Sequence, residues 1–195
     1  NIPVSRILGQ TTDGIHPTIH YTYQGKTYSF NGQVMSEYDL VFSILSAKGI
    51  EITAILLNDV SASYPQLVHP LSRQGIGSAP YYAFNASDKA GTECLAAVGA
   101  FLAERYSSAS NEINARKEWN YMKYVDLETY VREYAKAFRI FYNAIRSTNG
   151  SARVYISLDQ QWNRDLSSGN YDGRDILDEF NRQVKAEGDM EWGLA

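Results

Sequence analysis

The sequence predicts an α/β fold with a mostly parallel sheet, and two observations carry that expectation. Amphipathic segments repeatedly end in glycine and pass straight into apolar runs. Those runs turn polar where they stop, as at Asn58-Asp59 and Asp159-Gln160. No glycine-rich phosphate loop joins a strand to a helix, since Gly75-Ile76-Gly77 lies among His69-Pro70 and Pro80, which counts against nucleotide binding.

The first unit is a helix over 36–48, with Ser36 and Asp39 spaced as a capping box and Leu40, Val41, Ile44 and Leu45 expected on its inner face. Gly49 then leads into the apolar run 50–57. A second helix, about 87–105, carries Leu95, Val98, Phe101 and Leu102 on one side, with Ser87 or Asp88 as its cap. The strand that should follow it is missing: 105–110 reads Arg-Tyr-Ser-Ser-Ala-Ser, too polar and short for a buried strand, and residues are expected to be absent there. A third helix opens at Asp126 and repeats Leu127, Tyr130, Val131, Tyr134, Phe138, Phe141 and Ile145 before Asn149-Gly150 and a strand over 152–158. The last helix spans 174–187, with Ile176, Leu177, Phe180 and Val184 inward, then Gly188 and an apolar stretch over 190–195. Helices between apolar strands fit either an open doubly wound sheet or a closed barrel.

At 195 residues, 44% hydrophobic and 21% charged, the chain is expected to form one domain over 1–195. A net charge of −4 with scattered Lys and Arg argues against nucleic acid, whose phosphates need concentrated basic surface. No apolar run reaches the roughly 20 residues of a membrane span. The start, Asn1-Ile2-Pro3-Val4, suggests a processed or incomplete chain. Cys94 sits at helical spacing among Leu95, Ala97 and Val98 and reads as a buried thiol. His16, His20 and His69 match no common zinc spacing, so neither metal nor cofactor is expected. Aromatic residues make up 13%, including 15 Tyr, and their flat apolar faces with polar edges suit sugar rings.

In parallel α/β folds functional groups gather where strands end at their C-termini, which selects Asn58, Asp59, Asp159 and Gln160. Asn111-Glu112 joins them, followed by Asn114, Arg116, Trp119, Asn120 and Tyr121; Trp162 lies just past Asp159. A carboxylic acid beside aromatic groups keeps its proton to higher pH and can donate it to a leaving oxygen, which makes Glu112 the candidate acid. Asn111 would hydrogen-bond a sugar hydroxyl near the reacting carbon. Asn58, Asn114, Trp119, Tyr121, Asp159 and Trp162 are the candidate substrate-binding residues beside it.

The motifs Asn111-Glu112-Ile113-Asn114 and Trp119-Asn120-Tyr121-Met122, with the stretches 1–5, 49–58, 101–106 and 157–162, resemble the bacterial family DUF5722 over most of the chain. That resemblance implies a (β/α)8 TIM-barrel of the glycoside-hydrolase kind, incomplete here, with strands about 2 to 6 present. Asn1 to Ser5 would end strand two, 50–58 form strand three, Asn111-Glu112 cap strand four, 152–159 form strand five and 192–195 enter strand six. It further implies a retaining mechanism with Glu112 as acid/base, a nucleophile outside this chain, a carbohydrate substrate, and an extracellular or cell-surface location. The alternative is a carbohydrate-binding barrel without catalysis, because fold does not fix function.

Overall fold

The computed structural model describes residues 1–106, 108–110, 113, 116–159, 162 and 170–195. Its first strand, β1 (Ile2–Pro3), runs into a single helical turn, α1 (Val4–Ile7), and then into an antiparallel hairpin, β2 (Ile19–Tyr23) and β3 (Lys26–Phe30). The hairpin turns at Gln24-Gly25, both with positive φ (48° and 79°), the geometry that matches the right-handed twist of the flanking strands. Helix α2 (Gly32–Ala47) leads to β4 (Ala54–Leu57), a 3-10 turn (Pro65–Leu67) and the short α3 (Pro70–Arg73). After α4 (Lys89–Arg105) come β5 (Ser108–Ser110), α5 (Leu127–Thr148), β6 (Arg153–Ile156), α6 (Gly173–Ala186) and β7 (Gly193–Leu194).

The expected (β/α)8 barrel is not what these strands build. They form parallel pairs β1–β4, β4–β5, β5–β6 and β6–β7, only two to four residues long, in an order that does not close on itself, and the hairpin stands as a separate two-stranded sheet. Barrel closure requires the first and last strands to pair, and among the described residues β1 pairs only with β4 and β7 only with β6. The expectation of a missing strand before Asn111 is overturned as well. Ser108–Ser110 is that strand, with Ala109 paired to Ala54 on one side and Val154 on the other. Its ladder is made by backbone groups, which need no apolar side chains to pair.

Helix α2 starts a turn earlier than its expected capping box. Asn31 Oδ1 accepts from Val34 N at 3.2 Å, while Ser36 Oγ donates to the Gln33 carbonyl. Its inner face is also not the expected one: Met35 is buried and Tyr38 and Phe42 pack on the core, whereas Leu40 (62% exposed), Val41 and Ile44 face outward. The helix is apolar on two sides, so periodicity alone selects either stripe. Gly49 (φ 70°) and Gly188 (φ 97°) end α2 and α6 in the left-handed region, as glycine allows.

Helix α4 is buried along most of its length, from Gly91 to Ala103. On one side Phe101 stacks on Phe30 of the hairpin (3.7 Å between centroids, 17° between planes), with Tyr21 edge-on at 5.3 Å. Elsewhere it packs on α5, where a Cβ on Gly99 would come within 3.1 Å of Phe141, so a small residue sets the approach. Asp88 caps α4, Asp126 caps α5 and Asp172 caps α6, each accepting from a backbone N–H of the first turn. Helix α6 buries Ile176, Phe180 and Val184, and Phe180 meets Phe138 of α5 edge-on at 5.1 Å.

His69 is held at both of its ring nitrogens. It is buried, its Nδ1 accepts from Leu71 N at 3.2 Å, and Nε2 lies 3.4 Å from Glu133 Oε2 on α5. That pairing fixes the tautomer with its proton on Nε2, donating to the carboxylate. The His69 hydrogen bond, joined by Lys136 at 2.9 Å and opposed by burial, holds Glu133 down to about 2 from an ordinary 4.5. A carboxyl with a depressed folded value stabilises the fold fully above the ordinary value and loses that contribution as pH falls from about 4.5 toward 2. Glu133→Gln is therefore expected to cost about 2 kcal/mol at pH 7 and to flatten the acid limb of stability below pH 4.5, read by urea unfolding across pH. An acid limb identical to wild type would show that Glu133 titrates alike in both states.

Candidate functional site

The C-terminal ends of β4, β5 and β6 lie side by side in the sheet, so the segments that follow them share one rim. After β4 the chain is pinned back by Asn58, which is buried and donates through Nδ2 to the carbonyls of Leu67 and Ala83, both at 3.0 Å. Its carbonyl accepts from Tyr82 N at 2.7 Å. Its Oδ1 has no partner among the described residues, nor does the buried Ser157 Oγ just beyond β6. A buried polar atom left unpaired costs about 1–3 kcal/mol, and such a cost is a recognised mark of functional ground. Asp59 accepts from Ser5 N at 3.3 Å, tying the end of β4 to the start of the chain.

The segment after β5 is laced to the one after β4. Tyr121 N donates to the Tyr81 carbonyl at 3.0 Å and Ala83 N to the Tyr121 carbonyl at 2.8 Å, forming a parallel bridge between Tyr82 and Tyr121. The rings interleave too: Tyr81 stacks on Trp119 with centroids 5.5 Å apart and planes 10° apart, and Tyr82 meets Tyr121 edge-on at 5.9 Å. Arg116 is buried, donates to the Met122 carbonyl, and sits 5.9 Å from the centres of both Tyr121 and Tyr124. The Tyr121 ring lies directly over Gly75, where a Cβ would collide with it. Gly75→Ala is expected to push that ring aside at a cost of about 1–3 kcal/mol, visible as a changed near-UV spectrum and a lower thermal midpoint. An unchanged near-UV spectrum would mean that the loop gives way instead.

Tyr130 of α5 reaches into this rim from below. It is fully buried and donates its hydroxyl to the Ile113 carbonyl at 2.7 Å, while its hydroxyl oxygen accepts from Asn120 Nδ2 at 2.9 Å. Burial pushes its phenol well above the usual tyrosine range, so it remains a donor at any physiological pH. Ile113 N in turn donates to the Ser157 carbonyl at 3.1 Å, carrying the contact between the β5 and β6 segments beyond the strands themselves. Lys117 N donates to Asn170 Oδ1 and Tyr171 Oη to the Val125 carbonyl, joining the same segment to the entry of α6.

Of the sequence candidates, Asn58, Trp119, Tyr121, Asp159 and Trp162 fall on the segments following β4, β5 and β6. Asn58 is enclosed, Trp119, Tyr121 and Asp159 are half-buried, and Trp162 is 45% exposed. Asn111, Glu112 and Asn114 lie outside the described residues. Tyr81, Tyr82, Tyr130 and Ser157 were not selected from sequence. The pair Tyr81-Tyr82 directly after Pro80 was the available signal, but it sits more than twenty residues past the strand it serves. Cys94 is buried, and burial pushes its thiol up to about 12, which suits packing rather than nucleophilic chemistry. Among the described residues no group of three His, Cys, Asp or Glu side chains is placed to hold a metal ion, and no helix is long and apolar enough to cross a membrane.

Neither curated proteins nor solved structures provide a match to this chain. One family model does match, from the first residue to the last, and by that match over residues 1–195 the chain belongs to the family of unknown function DUF5722.

Proposed function

We propose that this rim binds a carbohydrate and hydrolyses a glycosidic bond, with Glu112 as the general acid and then base. The observation that carries the reading is where the aromatic residues fall. Tyr81, Trp119, Tyr121, Tyr124 and Trp162 stand apart from the hydrophobic core cluster, and all lie on segments that follow β4, β5 or β6. In sequence, Asn111-Glu112 sits between Ser110, the last residue of β5, and Ile113, which is anchored to Tyr130 and to the β6 segment. In sequence Glu112 is followed closely by Trp119, Tyr121 and Tyr124, and a carboxylic acid beside aromatic groups keeps its proton for donation to a leaving oxygen. Asn111 would hold a hydroxyl next to the reacting carbon, a contact that strengthens as the oxocarbenium-like transition state forms.

The test is a panel of polysaccharides offered to the wild-type protein and to Glu112→Gln, with reducing ends and binding measured together. Hydrolysis by the wild type and binding alone by the variant supports catalysis at Glu112. Binding without hydrolysis by either protein would make the rim a carbohydrate-binding surface, and cleavage by both would move the proton donor elsewhere.

A further inference from the structure

Most tyrosines and tryptophans of this chain serve the core. Even the half-buried ones, such as Tyr38, Tyr64, Tyr106, Tyr142 and Trp192, pack against the central cluster. Tyr81 and Trp119 do not, although both are half-buried. They pack against each other instead, nearly parallel and offset, across segments that follow two different strands. Neither segment is loosely held: the Tyr81 carbonyl accepts from Tyr121 N, and the next residue, Tyr82, donates its N–H to the Asn58 carbonyl. Two flat rings are thus fixed in a common orientation before any ligand arrives, so little side-chain freedom remains to be lost on binding.

We propose that Tyr81 and Trp119 form a stacking platform for one sugar of an uncharged polysaccharide whose pyranose rings carry their hydroxyls equatorially, as in a β-linked glucan or xylan. This deepens the carbohydrate reading given above and rests on it. An offset parallel pair covers part of one face of each ring and leaves the remaining aromatic surface for a flat partner. A pyranose with equatorial hydroxyls presents its axial C–H groups over both ring faces, and those positively polarised hydrogens match the electron-rich aromatic face. An axial hydroxyl on the stacked face would interrupt that match and leave a polar group against carbon. Trp162, 45% exposed, lies on the segment that follows β6.

The experiment is titration of tryptophan fluorescence with cellohexaose, using wild type, Tyr81→Leu, Trp119→Leu and Glu112→Gln, with mannohexaose as the axial-hydroxyl control. Leucine keeps the platform position apolar while removing the flat face. Tyr81→Leu and Trp119→Leu are each expected to weaken cellohexaose binding roughly ten-fold with little change in thermal midpoint, and mannohexaose should bind wild type roughly ten-fold more weakly. If Tyr81→Leu binds within about two-fold of wild type, or if cellohexaose does not bind at all, the platform is refuted. If instead Glu112→Gln cleaves as fast as wild type while the leucine variants lose binding, the catalytic reading fails and the platform stands.

Discussion

Glu112→Gln is expected to lower hydrolysis of a natural polysaccharide by roughly 10²–10⁴-fold, the usual contribution of a positioned proton donor. Glutamine keeps the shape of the side chain and its hydrogen-bonding reach but has no proton to give to a departing alkoxide. The size of the loss should therefore follow the leaving group. An aryl glycoside with a strongly acidic phenol departs without protonation, so its bond-breaking step should be far less affected than that of a sugar leaving group. The pH profile should change in a matching way. An acid must be protonated to act, so the wild-type rate falls as pH rises through its titration, and the variant should lack that limb. A uniform loss across both substrates with an unchanged profile would indicate a merely structural Glu112.

The second large effect is expected at Tyr130, whose hydroxyl links the helix layer to the rim. Tyr130→Phe retains the ring and its contact with Tyr171, centroids 4.9 Å apart, but removes the donor to the Ile113 carbonyl and the acceptor for Asn120 Nδ2. Both orphaned groups are enclosed, with Ile113 and Asn120 at 0% and 1% exposure, so water cannot replace the lost partner. Each unsatisfied group costs about 1–3 kcal/mol, which places the total loss at about 2–6 kcal/mol, measurable as a lower urea midpoint at constant slope. Hydrolysis at a temperature where the variant stays folded should fall as well, because the residue next to Glu112 loses its anchor. Loss of less than about 0.5 kcal/mol would show that the rim relaxes to pair these groups another way.

Helices were the most legible part of the sequence, and their caps show why. Asp88 and Asp126 each precede a helical run and each accepts a first-turn N–H, a local signal that needs no tertiary context. Helix α2 defeated the same reasoning because its residues offer two apolar stripes, and only packing chooses Met35, Tyr38 and Phe42 over Leu40, Val41 and Ile44. The hairpin went unread although Ile19, Tyr21 and Tyr23 alternate with polar residues on one side of Gln24-Gly25 and Tyr28 and Phe30 on the other. Strand β5 was read as a gap because Ser-Ala-Ser lacks the apolar signature of a central strand. The closed barrel came from resemblance and not from local pattern, and the strand pairing does not bear it out. In the rim, Trp119 and Tyr121 were visible from their density of sugar-binding residue types. Their counterparts Tyr81 and Tyr82 were not, since they approach only through backbone pairing between distant segments.

The order of the parallel strands also bears on how the domain comes into being. Apart from the hairpin, each strand pairs with the next one in the chain, β1 with β4, β4 with β5, β5 with β6 and β6 with β7. No pairing has to wait for a segment beyond the following strand, so a ribosome releasing the polypeptide delivers every partner in the sequence in which the sheet can accept it. Because loop-closure entropy grows only slowly with length, the intervening helices add little to the entropic barrier of each docking event. Nascent chains can thus gain structure progressively, domain-style, during elongation at ≈ 5–20 residues per second. At every stage the strand most recently docked presents unpaired N–H and C=O groups, and those moments set when the growing chain most needs protection from other chains.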